Sequence, residues 1–230
     1  MIEAVLFDMD GLLVNTERVY MQLNFEASAA FGYPMSEALY FQMLGVVKEV
    51  AEKVYVDNIP SFESEAFHAA IERAFWDKLE NGEVQVKKGA LRLLHYLRDQ
   101  QIPRAVVTSS SLAWAGMILK AVKLESAFDD IIGGDAVNRS KPHPDIYLHA
   151  ADRLHARPGA CLVLEDSENG IKAGRAAGMK VCMVPDLLPY TKDYAPYCDC
   201  VCEDLAEVVA YIEKTNSERP GPEEDGVRHG

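Results

Sequence analysis

The chain has 230 residues, 49% of them hydrophobic, and a formal net charge of −13. This composition supports a buried core in one large domain or in a core domain with an insertion, and the acidic charge argues against nucleic acid or an anionic membrane as a partner. The start of the chain shows neither a basic leader nor a long apolar segment. We therefore predict no signal peptide, no membrane span, a cytoplasmic location, and a monomer or weak dimer.

The first predicted element is a buried strand, residues 4–7, which runs into Asp8, Met9, Asp10 and Gly11. A short apolar run before a glycine is typical of a parallel strand, and open α/β sheets bind ligands at the carboxyl ends of such strands. Strand alternation turns Asp8 and Asp10 the same way. Because two carboxylates this close repel each other, we expect a divalent cation between them and favour Mg²⁺.

The next seventy residues show only helical patterns. Apolar residues recur at helical spacing over 16–31, up to Gly32, and again over 47–56 and 63–79, before the break at Asn81 and Gly82. No strand is predicted between Val14 and Gly82. Residues 15–83 are therefore predicted to form an all-helical cap inserted after the first strand.

Beyond the insertion, predicted strands and helices alternate strictly. This alternation predicts an α/β fold, a doubly wound parallel Rossmann-like sheet whose core comprises residues 1–14 and 84–216. The tail, 217–230, is rich in Pro, Gly and Glu and is predicted to be disordered. The predicted elements are a helix over 91–98, a strand over 104–108, a helix over 112–122, a strand over 130–133, a helix over 145–154, a strand over 161–164, a helix over 169–177, a strand over 181–184, and a last short strand and helix.

Polar residues follow two further predicted strands. Thr108 and Ser109 offer hydroxyl and backbone N–H groups that suit a phosphate, although such residues also cap helices. Glu165 and Asp166 end an apolar strand as a second pair of carboxylates, and two acidic strand ends in one parallel sheet indicate a shared metal ion.

A lysine, Lys141, lies in a proline-flanked loop just before a predicted helix. It can pair with a phosphate oxygen or with a nucleophilic carboxylate, and its stiff loop reduces the entropy lost when it is held. His143 in the same loop is expected to be a packing or capping residue rather than an acid or base.

These motifs together resemble those of the haloacid dehalogenase-like superfamily of hydrolases. The resemblance covers nearly the whole chain, and the helical insertion resembles the cap of the subfamily that includes β-phosphoglucomutase and phosphoglycolate phosphatase. It rests on Phe7-Asp8-Met9-Asp10-Gly11-Leu12, Thr108, Lys141-Pro142, Glu165-Asp166-Ser167 and Ala177-Gly178-Met179.

The resemblance implies a Mg²⁺-dependent phosphatase of a small phosphate monoester, such as a sugar phosphate or a nucleoside monophosphate. Asp8 would be the nucleophile that takes the phosphoryl group, and Asp10 the acid and base. Members that cleave carbon–halogen bonds lack this second aspartate. Thr108 and Lys141, with the neighbouring Ser109, would bind the phosphoryl oxygens.

The resemblance also implies the ligands of the metal ion. Asp166, helped by Glu165, would complete the magnesium site with Asp8 and the backbone carbonyl of Asp10. Phosphoryl transfer requires mainly positioning and charge stabilisation, which such an ion supplies.

Substrate choice is expected to lie in the cap, where Glu17, Tyr20 and Lys48 are the candidate residues. Tyr20 stands where resembling mutases have histidine, which weakens the mutase interpretation, whereas Lys48 stands in place of the cap arginine that grips their second phosphate. A β-phosphoglucomutase-like isomerase remains the alternative function, and a non-enzymatic binding module a remote one. The alternative interpretation of Lys48 is an ordinary helix lysine exposed to solvent. The expected hinges are residues 15–16 and 83–86.

Five cysteines form no pair spaced as C-x-x-C. Cys198, Cys200 and Cys202 alternate along the predicted last strand, which would place their thiols on one face. A soft-metal site there lacks a nearby histidine, and neighbouring positions on one face do not easily surround a tetrahedral ion. We expect reduced structural cysteines, as in a cytosolic protein.

Overall fold

A parallel sheet of six strands forms the centre of the computed structural model, which describes residues 1–44 and 48–218. The strand order is β3-β2-β1-β4-β5-β6, so that β1 and β4 lie in the middle of the sheet. The five strands predicted at definite positions are confirmed, with ends shifted by about one residue. The strands are β1 (Ala4–Phe7), β2 (Arg104–Val107), β3 (Asp130–Ile132), β4 (Cys161–Glu165), β5 (Lys180–Met183) and β6 (Cys200–Val201).

Helices cover both faces of this sheet. Val5 and Phe7 of β1 belong to one hydrophobic cluster, and Ala4 and Leu6 to the other, because side chains alternate along a strand. The first cluster is closed by α5 (Ala90–Asp99), α6 (Leu112–Ala121) and α9 (Val208–Ser217). The second is closed by α7 (Asp145–Arg153) and α8 (Glu168–Ala176). The doubly wound arrangement predicted from the sequence is confirmed.

Four described helices are inserted between β1 and α5: α1 (Thr16–Phe31), α2 (Glu37–Phe41), α3 (Lys48–Asn58) and α4 (Ser64–Glu80). Helix α1 ends at Gly32, whose φ of 71° closes the helix in the left-handed conformation. Helix α2 is missing from the sequence-based prediction, because five residues are too few to show a helical period. Its first turn is capped by Ser36, whose side chain accepts a hydrogen bond from the Leu39 N–H.

The two segments that join these helices to the sheet run side by side. The Asn15 N–H donates to the Gln85 carbonyl at 3.0 Å, and the Gln85 N–H donates to Asn15 Oδ1 at 2.7 Å. Val14 and Val86 pair as an isolated antiparallel bridge. These contacts lie at the predicted hinge positions.

Two sequence-based predictions near the C-terminus differ from the structure. The prediction that Cys198 shares a face with Cys200 and Cys202 is wrong, because β6 is only two residues long and Cys198 precedes it, packing against the opposite cluster. The predicted disordered tail begins too early, since Ser217 still belongs to α9, and residues 219–230 lie outside the described residues. Among the helices of the described ranges, none is long and apolar enough to span a membrane.

Candidate active site

The carboxyl end of β1 carries the first two acidic residues. The Asp8 N–H donates to the Leu164 carbonyl of β4 at 3.0 Å, which aligns the two strand ends. The chain then turns at Gly11, with φ of 84°. A Cβ atom at Gly11 would collide with the carboxylate of Asp166, so this position requires glycine both for its conformation and for its close approach.

Lys141 bridges the two acidic strand ends. Its Nζ lies 2.6 Å from Asp8 Oδ1 and 2.7 Å from Glu165 Oε1, and it also donates to the Val107 carbonyl at 3.0 Å. The side chain is only 4% exposed. Burial lowers the pKa of Lys141, but the two carboxylates outweigh that effect and hold it well above the ordinary value. Lys141 is therefore a fixed positive charge.

Glu165 is fully buried behind this lysine. Its Oε1 also accepts the Tyr147 O–H at 2.7 Å, and its Oε2 accepts the Ser167 O–H at 2.9 Å and the N–H groups of Asp166 and Ser167 at 3.2 Å. A Cβ atom at Gly170 would overlap the Glu165 carboxylate, so the first turn of α8 packs directly on it. These donors direct Glu165 toward Lys141.

Tyr147 is a site residue that the sequence interpretation missed. It is fully buried in α7, where an aromatic residue in an amphipathic helix predicts ordinary core packing. Its ring also lies 4.9 Å from Lys141 Nζ, close enough for a cation–π contact. The short sequence distance between Tyr147 and Lys141 is the one sequence feature that could have identified this residue.

Three carboxylates converge at the ends of β1 and β4. Ligand oxygens of Asp8, Glu165 and Asp166 all lie within 4.8 Å of one another. Burial raises the pKa of Asp8 well above its usual range; the Lys141 charge opposes this rise, and repulsion from Glu165 and Asp10 adds to it. Burial also raises the pKa of Asp166, and repulsion from Asp8 and Glu165 adds to the rise. Such a set of hard oxygen donors fits a Mg²⁺ ion.

Asp10 has surroundings different from those of Asp8. Its Oδ1 accepts the Thr16 O–H at 2.7 Å, and its Oδ2 accepts the O–H groups of Ser110 at 3.0 Å and Thr108 at 3.3 Å. Burial raises the pKa of Asp10 from its usual value, and these three hydroxyls oppose the rise. Thr16 opens α1, so a helix of the insertion holds this carboxyl directly.

These side chains open onto one cavity of about 680 Å³. The predicted residues Asp8, Asp10, Thr108, Lys141 and Asp166 line it, together with the exposed Ser109 and with Glu17 from the insertion, whereas Glu165 lies behind its wall. Lys141 is the only lysine or arginine among its lining residues in the described part of the chain. The remaining lining residues are Leu44, Ser110, Ser140, Ser167, Glu168, Asn169, Leu187 and Leu188.

The three candidate substrate residues have separate outcomes. Glu17 faces the cavity, and burial, with repulsion from Asp10 and Asp186, raises its pKa to about 7. Tyr20 does not line the cavity; its ring stacks on Phe75 with centroids 4.5 Å apart and lies 6.4 Å from Trp114 of α6. The side chain of Lys48 lies outside the described residues.

A buried aspartate after β5, Asp186, joins the insertion to the sheet. Its Oδ1 accepts hydrogen bonds from Arg18 of α1 at 2.7 Å and from Lys87 at 2.5 Å. The Asp186 side chain is fully buried, whereas that of Arg18 is 53% exposed. The sequence interpretation missed Asp186, although an acidic residue just beyond a third predicted strand is the same signal that identified the first two acidic pairs.

Known proteins are similar to this chain in both sequence and architecture. The family model of the haloacid dehalogenase-like hydrolases matches residues 2–178. The chain is 30% identical over 184 residues to the Thermotoga maritima protein named phosphorylated carbohydrates phosphatase, covering 77% of this chain and 82% of the relative. It is 36% identical over 189 residues to the Drosophila melanogaster protein named Probable pseudouridine-5′-phosphatase, covering 78% and 80%. The structure of CbbY from Rhodobacter sphaeroides in complex with phosphate is similar with a TM-score of 0.75 and 28% identity, over 90% of this chain and 96% of that one.

Proposed function

The chain belongs to the haloacid dehalogenase-like hydrolases, and we propose that it is a Mg²⁺-dependent phosphatase of a small phosphate monoester that forms an aspartyl-phosphate on Asp8. One observation carries the proposal. Two aspartates on one strand end face one cavity in contrasting surroundings, Asp8 paired with Lys141 and Asp10 held by hydroxyl groups. Contrasting environments of this kind assign different roles to similar acids.

In the first step, Asp8 attacks the phosphorus atom of the bound ester. Lys141 occupies Asp8 Oδ1, so we assign the attack to Oδ2. A bond forms between this oxygen and phosphorus while the bond from phosphorus to the ester oxygen breaks. The Lys141 charge opposes the rise in the pKa of Asp8, which favours its anionic, nucleophilic form, and it attracts the phosphoryl oxygens.

Asp10 moves the protons in both steps. Its raised pKa favours the protonated form, which donates a proton to the departing ester oxygen. In the second step the Asp10 carboxylate accepts a proton from the water that attacks the aspartyl-phosphate, and inorganic phosphate and free Asp8 result. Thr16 and Ser110 hold the carboxyl in place through both transfers.

Asp8, Asp166 and the backbone carbonyl of Asp10 would hold the Mg²⁺ ion, which neutralises charge on the phosphoryl group when bound. Glu165 belongs to the same group of carboxylates, but its hydrogen bonds assign it chiefly to positioning Lys141. Ser109, exposed at the cavity wall, would bind a phosphoryl oxygen with its hydroxyl and N–H groups.

The cavity supports a sugar phosphate or a nucleoside monophosphate as the substrate class. Leu44, Leu187 and Leu188 provide apolar surface, and Glu17 provides an acceptor for a hydroxyl or N–H group of the leaving group. The names of the two relatives, a phosphatase of phosphorylated carbohydrates and a pseudouridine-5′-phosphatase, are consistent with that class. A mutase needs a second phosphate site; Lys141 is the cation of the described lining, and Lys48 would have to supply the second contact.

The division into domains is part of the proposal. Residues 15–83 would act as a cap over a core of residues 1–14 and 84–216, turning at the paired segments around Asn15 and Gln85. Closure would exclude bulk water from the site and admit only the water molecule that attacks the aspartyl-phosphate. Hydrogen exchange at these segments should slow when a phosphate mimic binds, and equal exchange with and without the mimic would argue against such motion.

Phosphate release from a substrate panel tests the proposal. The panel contains sugar phosphates, nucleoside monophosphates, phosphoglycolate and pseudouridine 5′-phosphate with Mg²⁺, and conversion of β-glucose 1-phosphate to glucose 6-phosphate is measured in parallel. We expect free phosphate from one or a few monophosphates and none from Asp8→Asn, with circular dichroism showing that the variant is folded. Isomerisation without phosphate release would instead establish the mutase, and substantial phosphate release by folded Asp8→Asn would overturn the assignment of the nucleophile.

A further inference from the structure

Three thiols meet at the far edge of the sheet, outside the cavity lining. Cys182 of β5 and Cys200 of β6 are opposite each other in the strand register, and Cys202 follows on the same face. The Sγ atoms of all three lie within 4.8 Å of one another, and those of Cys182 and Cys202 are 3.5 Å apart. The neighbouring strand thus supplies the third thiol that spacing within one strand did not predict.

The spacing of the sulfur atoms suits a thiophilic ion. Metal–sulfur bonds of about 2.3 Å in tetrahedral geometry place sulfur atoms about 3.8 Å apart. The Sγ atoms of Cys182 and Cys202 are 3.5 Å apart and no pair in the cluster exceeds 4.8 Å, so these separations lie around that distance. Soft thiolate ligands select Zn²⁺, Cd²⁺ or Cu⁺ over the hard ions that suit a carboxylate site.

The cluster is buried on one side and open to solvent on the other. Cys182 is fully buried, Cys202 is 7% exposed and Cys200 is partly exposed, so the cluster is closed on the core side and reaches solvent at Cys200. Asp199 interacts electrostatically with Cys200 and Asp204 with Cys202, and Tyr211 interacts with Cys200.

The two carboxylates have partners of their own. Asp199 pairs with Arg175 at 3.1 Å, and Asp204 pairs with Lys88 at 2.7 Å. Because both carboxylates are paired with cations, they add little repulsion to the single net negative charge that three thiolates and one divalent ion carry.

We propose that Cys182, Cys200 and Cys202 together bind one divalent thiophilic metal ion of the Zn²⁺ type. Binding forms three metal–sulfur bonds and releases the three thiol protons to solvent, and the fourth position stays open toward water on the Cys200 side. The ion ties β6, a strand of only two residues, to β5. Because the chain beyond β5 continues to Leu187 and Leu188 in the cavity wall, metal binding stabilises a segment that borders the candidate active site.

Cadmium titration of the reduced full chain tests the proposal. The protein is reduced with a phosphine, freed of metal and kept in excess Mg²⁺, so that the carboxylate site does not compete for Cd²⁺. We expect a thiolate-to-metal charge-transfer band in the ultraviolet that saturates at one Cd²⁺ per chain, and a higher Tm with Zn²⁺. Carboxylates give no such band, which separates the two sites.

Two serine variants complete the experiment. Cys200→Ser removes the partly exposed ligand and should weaken Cd²⁺ binding at least about 10-fold, since even outer-shell partners of a metal contribute that much. Cys198→Ser is the matched control, because Cys198 is equally a partly exposed cysteine near β6 but packs on the opposite face. Absence of the band in the unmodified chain, or an equal band in folded Cys200→Ser, would overturn the proposal. The three cysteines would then be interpreted as thiols that only pack in the core.

Discussion

Tyr147→Phe isolates the buried network that positions Lys141. The substitution removes one hydroxyl, whose only described hydrogen bond is a 2.7 Å donation to Glu165, and leaves the ring and its packing in place. A hydrogen bond to a charged group contributes about 1.5–3 kcal/mol. In the variant, Glu165 still accepts hydrogen bonds from Lys141 and from three further donors, so its carboxylate is not left unpaired. We therefore expect the lower end of this range, a loss of about 1.5 kcal/mol in the free energy of unfolding.

Urea unfolding measures this loss as a lower midpoint with an unchanged m value. Lys141 should also lose part of its fixed orientation, so kcat for phosphate release should fall more than KM rises. Tyr190→Phe is the matched control, because Tyr190 is a surface tyrosine, 36% exposed. A loss of less than about 0.5 kcal/mol, the range of ordinary surface substitutions, would refute the assignment of Glu165 and Tyr147 as positioning residues.

Three further predictions concern the same site. Glu17 has a folded-state pKa of about 7 against an ordinary value of 4.5, so the free energy of unfolding should fall as pH rises from about 4.5 to about 7 and the Glu17 proton is lost. Glu17→Gln should remove up to about 3 kcal/mol of this fall. Parallel curves of unfolding free energy against pH for the two proteins would contradict the prediction. Thr16→Val removes a hydroxyl that stabilises charged Asp10, so its pKa should rise and the pH profile of kcat should shift upward, with an unshifted profile as the contrary result. Chelation should abolish phosphate release, and Mg²⁺ should restore it in the same sample; undiminished release in chelator would exclude the metal requirement.

The strand ends could be predicted because their information is local. The apolar runs before Asp8 and Asp166 are short enough to recognise as buried strands, and parallel pairing brings their carboxyl ends to one edge of the sheet. The alternation of strands and helices likewise predicts the doubly wound sheet. These patterns depend on neighbouring residues and on general rules of chain topology.

Other parts of the site depend on residues distant in the sequence. Glu165 is spaced like a metal ligand, and only its contacts with Tyr147 and Lys141 assign it to positioning the lysine. Asp186 follows a predicted strand as the other acidic residues do, but only the fold brings Arg18 and Lys87 to it. Helical spacing could not separate pocket residues from packing residues, and Tyr20 proved to stack on Phe75.

The sequence by itself determined the fold class, the family and the residues at the strand ends, because each depends on a local pattern or on ordered motifs along one chain. Only the tertiary structure decided which groups face each other: Lys141 lies 133 positions from Asp8, and Cys182 lies 20 positions from Cys202. Hydrogen bonds, ion pairs and metal ligation act over a few ångströms. Their partners are therefore set by the packing of whole elements, which no local pattern records.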